Sequence, residues 1–503
     1  MLFNSYVFVF LFLPVTFAVF FAIGRYNARA AAVWLLLASL FFYAWWKPAN
    51  LLLLLSSILF NYTVGVELAR TRLGDAYRKR MLVTAIAVNL GLLACFKYSA
   101  FIATGFAPLA ALELPELALP LGISFFTFTQ IAFLVDVYRH QARDYSPVHY
   151  GLFVTYFPHL IAGPILHHRE RMPQFARPAI YRPHAADIAS GLTIFAIGLC
   201  KKVIVADWIV APHANAVFGV AAQDGALPLV DAWVGAIAFG MQIYFDFSGY
   251  SDMAIGLSLL FGIRLPVNFN SPYKAENIID FWRRWHMTLS RFLRDYLYFP
   301  LGGNRHGRLA RYRNLLVTMV LGGLWHGAGW HFVIWGGLHG IYLVVNHLHR
   351  EWPGTSSAKR AGRARRLLNW LTTFVAVTMA WVFFRADSFG TALLLIQGML
   401  GLHGFGWPAQ WWSTVGARGE SYQGGLAAVC ALVALVAFVR VAPNTQQIMG
   451  RFNPVLADGA AADDRPRWYH WRLTAFSALA AAMLLAVSIA RFNDVTPFLY
   501  FQF

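Results

Sequence analysis

Long apolar runs alternate with short, basic connectors along almost the whole chain, and that alternation predicts an all-α, polytopic membrane protein. The runs LLLLLSSILF (51–60) and LVTAIAVNLGLLACF (82–96) belong to stretches long enough to cross a hydrocarbon core of roughly 30 Å. Further spans are expected near 188–205, 233–262, 313–348, 367–384, 426–441 and 473–489. The first apolar run, 6–24, lacks the basic flank of a cleaved leader and reads as a retained span. Polar connectors are expected at 356–366 and 457–467. No internal repeat or compositional boundary divides the chain, so a single integral-membrane domain over residues 1–503 is expected.

The connectors carry the charge. Basic clusters at 70–80, 169–182, 264–313 and 350–366 mark cytoplasmic loops, whereas 106–119 holds Glu113 and Glu116 and no Lys or Arg, as an outer loop should. This alternation fails at 148–166, which would carry the basic stretch after it to the outside if it crossed fully. Its interior, FPHLIAGPI, contains Pro158, Gly163 and Pro164. Broken backbone at membrane depth is tolerated only inside protein or beside a water-filled cavity, so a re-entrant segment is predicted.

Two segments combine helical periodicity with histidine. In NIIDFWRRWHMTLSRFLRDYLYFPLGG, residues Ile278, Trp282, Trp285, Leu289, Phe292 and Tyr296 form one apolar stripe, and Asp280, Arg283, Arg284, Arg291 and Arg294 cover the opposite side. The pattern predicts one helix lying along the cytoplasmic interface, with His286 at the edge of its stripe. Taken alone, it describes an amphipathic anchor equally well. The segment 314–349 is about 35 residues long, or roughly 50 Å of helix, which exceeds one span. Basic connectors at both ends imply that it enters and returns on one side. The turn is then expected near the glycines of GGLWHGAGW, which places His326 inside the embedded region. Gly323/Gly327 and Gly336/Gly340 make pairs that let helices approach closely. His326 is either a core histidine bonded to a backbone carbonyl or a functional group facing a cavity, and the cost of polar groups in lipid favours the second.

Composition confirms the setting and narrows the chemistry. Apolar types make up 58% of the 503 residues and charged types 13%, about half the soluble norm. The net charge of +18 sits in connectors without zinc-finger spacing or a recognition-helix pattern, so nucleic-acid binding is not expected. Cys95, Cys200 and Cys430 lie far apart, and neither a disulfide framework nor a cysteine metal site is encoded. His331 and His339 follow His326 at spacings that make no compact ligand set on one helix, and no metal site is assigned. A third polar island, MQIYFDFSGYSDMAIG (241–256), holds Asp246 and Asp252 with Gln242, Ser248 and Ser251. GYSDM approaches a nucleophile elbow, but Met253 replaces the required glycine. None of the sixteen histidines has an aspartate five positions on, which excludes the H-x4-D pattern of soluble-type glycerolipid acyltransferases.

RRWHMTLSRFLRDYLYFPLGGNR followed by GGLWHGAGWHFVIWGGLHG resembles the membrane-bound O-acyltransferase family, in its bacterial branch that O-acetylates alginate and related polysaccharides. FPHLIAGPI, FDFSGYSDMAIG, NFNSPYKAENIIDFW and the closing FLYFQF resemble that branch too, so the likeness covers about 119–348 and the C-terminus. The resemblance implies a many-helix fold with a thinned centre or tunnel, and catalytic histidines at His286 and His326, the second carrying the main role. It further implies a cytoplasmic acyl thioester donor such as acetyl-CoA, no bound cofactor, and multi-pass residence in a bacterial inner membrane. A periplasmic acetyltransferase partner and a polysaccharide acceptor complete the expectation. Histidine suits acyl transfer from a thioester to a hydroxyl, because the base must take the hydroxyl proton near neutrality. The basic residues Arg283, Arg284, Arg291 and Arg294 are explained equally by topology and by attraction of coenzyme A phosphates. Peptidoglycan or cellulose as acceptor, a transporter or flippase, and a scaffold of an exopolysaccharide complex are the alternatives.

Overall fold

A computed structural model of the chain describes residues 1–70, 74–105, 119–142, 146–161, 163–165, 168–352, 362–406, 426–456, 467–492 and 498–499. All but the last residue of the expected outer loop at 106–119, most of the two polar connectors and the end of FLYFQF lie outside the described residues. In chain order the helices are α1 (Leu13–Gly24), α2 (Ala28–Ala44), α3 (Ala49–Ala69), α4 (Asp75–Lys97), α5 (Ser99–Gly105), α6 (Ile123–Tyr138), α7 (Pro147–Thr155), α8 (His168–Phe175), α9 (Ala185–Cys200), α10 (Ala211–Ala222) and α11 (Leu229–Leu260). They continue as α12 (Ile278–Trp282), α13 (Met287–Leu293), α14 (Gly307–His326), α15 (Trp330–Glu351), α16 (Arg363–Arg385), α17 (Phe389–Met399), α18 (Leu426–Val441), α19 (Thr445–Ile448) and α20 (Ala475–Ile489). Among the described residues there is no strand beyond one isolated bridge between Leu265 and Val455.

Among the described residues four helices are long and apolar enough to cross a membrane: Ala49–Ala69, Asp75–Lys97, Ala185–Ala222 and Arg363–Arg385. The third is α9 and α10 joined through a π-helical stretch, Lys201–Val210. Several of these helices turn large apolar side chains outward, as Leu52 and Leu59 on α3 do. Lipid supplies no partner for a backbone N–H or C=O, so helices, which satisfy those groups internally, are the structure such apolar runs can adopt.

The described residues form two compact units. The first comprises Met1–Cys200, Tyr250–Val267 and the described part of the chain from Thr445 onward. Polar side chains pair with one another where α3, α4, α6 and α7 meet. Asn61 and Asn89 exchange amide hydrogen bonds at 3.0 and 2.7 Å, Gln130 donates to Ser57 Oγ at 2.9 Å, and the Tyr150 hydroxyl donates to Gln130 at 3.2 Å. An orphaned amide there would cost about 1–3 kcal/mol, so the reciprocal pair specifies how α3 and α4 align. Gly191 and Gly256 let α9 and the C-terminal part of α11 touch: a β-carbon on Gly191 would come within 2.7 Å of the Gly256 carbonyl. Asp252, on the same part of α11, accepts from Thr445 Oγ1 at 2.6 Å and Gln446 Nε2 at 2.9 Å, which ties down α19.

The segment expected to be re-entrant, 148–166, is not one continuous helix among its described residues. Helix α7 ends at Thr155, and the chain from Tyr156 to Ile161 runs as buried turns. His159 lies against the Phe153 carbonyl at 3.1 Å, and Gly163 passes so close to His159 that a β-carbon would collide with it.

The second unit comprises Lys201–Gly249 and Asn268–Asn444. It contains the α14–α15 hairpin, α16, α17 and the segment around His286. That segment departs from expectation. It is not one interfacial helix over 278–296 but two short helices, α12 and α13, followed by a π-helical turn, Arg294–Tyr298. The apolar stripe survives, since Ile278, Trp282, Trp285, Leu289 and Phe292 are all buried. It faces the protein, however, with Trp282 against Trp335 at 5.9 Å and Trp285 against Trp381 at 4.9 Å between ring centres. Helical periodicity reports that a face is buried, not which apolar medium buries it.

Candidate active site

Helix α14 ends at His326 because Gly327 turns fully extended, at φ −164° and ψ 158°, and α15 starts three residues later at Trp330 after an equally extended Gly329. The turn therefore falls where the glycines placed it. The two helices then pack backbone to backbone: a β-carbon on Gly323 would strike the Phe332 carbonyl, and one on Gly336 would strike that of Met319. This approach holds the last residue of α14 against the first turns of α15.

His326 is 6% exposed. Its ring is enclosed edge-to-face by Trp325 and Trp335, each 5.0 Å away between centres, and by Phe384 of α16 at 5.2 Å. Trp335, itself buried, leans on His339 at 4.9 Å. Trp282 donates its indole N–H to His339 Nδ1 at 3.3 Å, so the His339 ring hydrogen sits on Nε2. Spacing along α15 gives His339 no role. The hairpin brings it to the wall that encloses His326, a placement no periodicity along one helix could reveal.

His286 is buried, not at an aqueous edge: it is 1% exposed and caps α13 in the left-handed region, at φ 41° and ψ 53°. A residue so placed cannot continue a helix, which is why the expected single helix divides here. Its ring packs on Phe247 at 4.7 Å and on Phe269 at 6.3 Å, and its Nδ1 lies 3.0 Å from Asn268 Oδ1. Burial pushes its pKa below the ordinary histidine range, favouring the neutral ring. From His286 the rings run on without a break: Phe269 to Trp285 at 5.0 Å, Trp285 to Trp381 at 4.9 Å, and Trp381 to Trp335 at 5.8 Å. Both sequence-predicted histidines thus sit on one aromatic wall. Asn268, which holds His286, lies in the stretch NFNSPYKAENIIDFW, where no spacing rule along the chain distinguishes it.

The other candidates separate from this wall. Asp246 forms an ion pair with Lys202, which also binds Asp207 at 2.9 Å. Ser251 lies inside α11, not on a strand-to-helix turn, so GYSDM is no nucleophile elbow. Arg284, half-buried, pairs with Asp280 at 2.9 Å, and Arg294, exposed, pairs with Asp295 at 2.7 Å. Among the described residues no group of three or more His, Cys, Asp or Glu side chains is arranged to hold a metal.

Comparison with known proteins adds the following. The profile of the membrane-bound O-acyltransferase family matches residues 23–386. A peptidoglycan O-acetyltransferase of Helicobacter pylori is 46% identical over 433 residues, covering 80% of each chain. A probable alginate O-acetylase of Pseudomonas aeruginosa is 41% identical over 410 residues, 79% of this chain and 75% of the relative. A teichoic acid D-alanyltransferase of Bacillus subtilis is 26% identical over 277 residues, 54% of this chain and 69% of the relative.

Proposed function

This chain belongs to the membrane-bound O-acyltransferase family, and from that premise we propose that it moves an acetyl group from a cytoplasmic thioester, acetyl-CoA, to O-acetylate an exported polysaccharide. The observation that carries the reading is the placement of His326, buried at the end of α14 within a ring of Trp325, Trp335 and Phe384. Aromatic faces exclude water from the imidazole, and a dry site keeps a thioester from hydrolysis while strengthening each electrostatic contact within it. His326 serves as general base. It takes the proton as the hydroxyl oxygen attacks the thioester carbon; the C–O bond forms, the C–S bond breaks, and the proton passes to the departing sulfur. His286 positions the donor or assists that transfer.

Two acceptors compete. Alginate is favoured by the motif likeness and by the Pseudomonas relative; peptidoglycan is favoured by the higher identity of the Helicobacter relative. In either case the protein resides in a bacterial inner membrane, a tunnel carries the acyl group across, and a periplasmic acetyltransferase completes delivery. Purified protein with labelled acetyl-CoA tests the chemistry: release of free thiol supports an enzyme, and an intact thioester supports a transporter. Mass spectrometry of envelope polysaccharides with and without the protein then separates alginate from peptidoglycan.

A further inference from the structure

Three contacts converge on one buried atom. Asn268 Oδ1 lies 3.0 Å from His286 Nδ1, 2.9 Å from Thr288 Oγ1 and 3.4 Å from the Thr288 backbone nitrogen. A backbone N–H can only donate, so the side-chain atom that faces it must be the amide oxygen, not the amide nitrogen. That oxygen can only accept. Neutral His286 must therefore carry its hydrogen on Nδ1, and its lone pair resides on Nε2. Asn268, His286 and Thr288 are all at most 2% exposed, so the arrangement is set within the protein.

The main chain repeats the lock. Met287 N donates to the Asn268 carbonyl at 2.9 Å, and Asn270 N donates to the Arg284 carbonyl at 2.9 Å. The segment 268–270 thus clips both sides of the turn and holds His286 in a left-handed conformation that a residue with a β-carbon seldom adopts. Strain of this kind persists only where the surroundings over-determine it, and it gathers at functional positions.

We propose that Asn268 is a positioning residue that presets His286 as a proton acceptor through Nε2. The inference rests on the acyltransferase reading above and narrows the part His286 plays in it. In that transfer the hydroxyl proton that His326 takes up is relayed to the departing sulfur through His286 Nε2, which receives it and gives it up again. The ring passes through an imidazolium whose Nδ1–H the same oxygen continues to accept, so alcohol and thioester give ester and thiol with no net proton. A resting ring of this tautomer does not donate from Nε2 to the thioester carbonyl. The charged groups on the elements around the ring are Asp231, Asp246 and Asp252 on α11, of which Asp246 is bound to Lys202; Arg283 and Arg284 in the turn, the latter paired with Asp280; and Arg291 on α13.

The test uses full-length protein in lipid nanodiscs with acetyl-CoA. Asn268→Asp keeps the shape but sets a carboxylate against Nδ1–H, which favours the imidazolium; the acid limb of the pH–rate profile should move up by roughly 1–3 pH. Asn268→Ala should lower kcat tenfold or more with little change in KM for acetyl-CoA. A folded Asn268→Asp protein whose profile superimposes on wild type overturns the proposal, as does an Asn268→Ala protein with wild-type kcat. If neither variant folds, nitrogen-15 solid-state NMR of wild-type protein decides, with the His286 signals identified by their loss in His286→Gln. Protonated Nδ1 with bare Nε2 is expected, and the reverse tautomer refutes the clamp. Failure of the wild type to consume acetyl-CoA, by contrast, counts against the donor assignment and leaves the tautomer result standing.

Discussion

Lys202→Met tests a buried cluster of three charges. Lys202 is 2% exposed as a residue, and its ammonium is shared by Asp246 and by Asp207, at 2.9 Å from the latter. Methionine is close in length and volume, so packing changes little and the perturbation is the loss of one cation. Two buried carboxylates then lose their shared counter-charge. Breaking a buried pair in this way costs about 3–5 kcal/mol, because an uncompensated charge is left in a medium that solvates it poorly. A midpoint shift of at least about 5 °C follows, even at the small shift per kcal/mol typical of larger domains. Heating detergent-solubilised protein and following the surviving monodisperse fraction by fluorescence size exclusion measures it. The triple variant Lys202→Met, Asp207→Asn, Asp246→Asn should regain most of the loss, since it removes the stranded charges as well. A single variant that melts with wild type, or a triple variant less stable than the single, would refute the reasoning.

Other outcomes follow from the same geometry. His326→Ala should be expressed and folded yet fail to release thiol from acetyl-CoA; normal turnover would remove His326 from the chemistry. Gly336→Ala should lower both heat stability and turnover, since its new methyl meets the Met319 carbonyl across the hairpin, whereas Gly337→Ala, with nothing within 4 Å of the built β-carbon, should change neither. Equal behaviour of the two in the same melting and turnover assays would show that the close approach of α14 and α15 is not what matters. Asn61→Leu should cost about 1–3 kcal/mol by removing the amide that donates to Asn89 Oδ1, while Asn89 Nδ2 keeps the Ala85 carbonyl, and Asn61→Leu with Asn89→Leu should recover part of it, as read from thermal midpoints of the two variants. A double variant worse than the single would contradict a paired-amide role.

How much was legible along the chain depended on how far apart the interacting residues lie. Apolar run length by itself determined the helical membrane class, because a backbone in lipid has no alternative to pairing within its own helix. Basic ends, run length and the glycines placed the turn of the 314–349 hairpin, and with it His326, since helix rise and small-residue packing are local rules. Periodicity also identified the buried stripe of Ile278, Trp282, Trp285, Leu289 and Phe292. It did not reveal the left-handed break at His286, because the partner that holds it, Asn268, is 18 residues away and outside any helical repeat. His339 escaped for the same reason: the indole it accepts from, Trp282, is 57 residues distant. Which apolar medium covers a stripe, which cation answers a buried aspartate and which nitrogen of an imidazole carries its hydrogen were decided only by the tertiary structure. Those are contacts between segments, and a linear pattern reports only neighbours one helical turn apart.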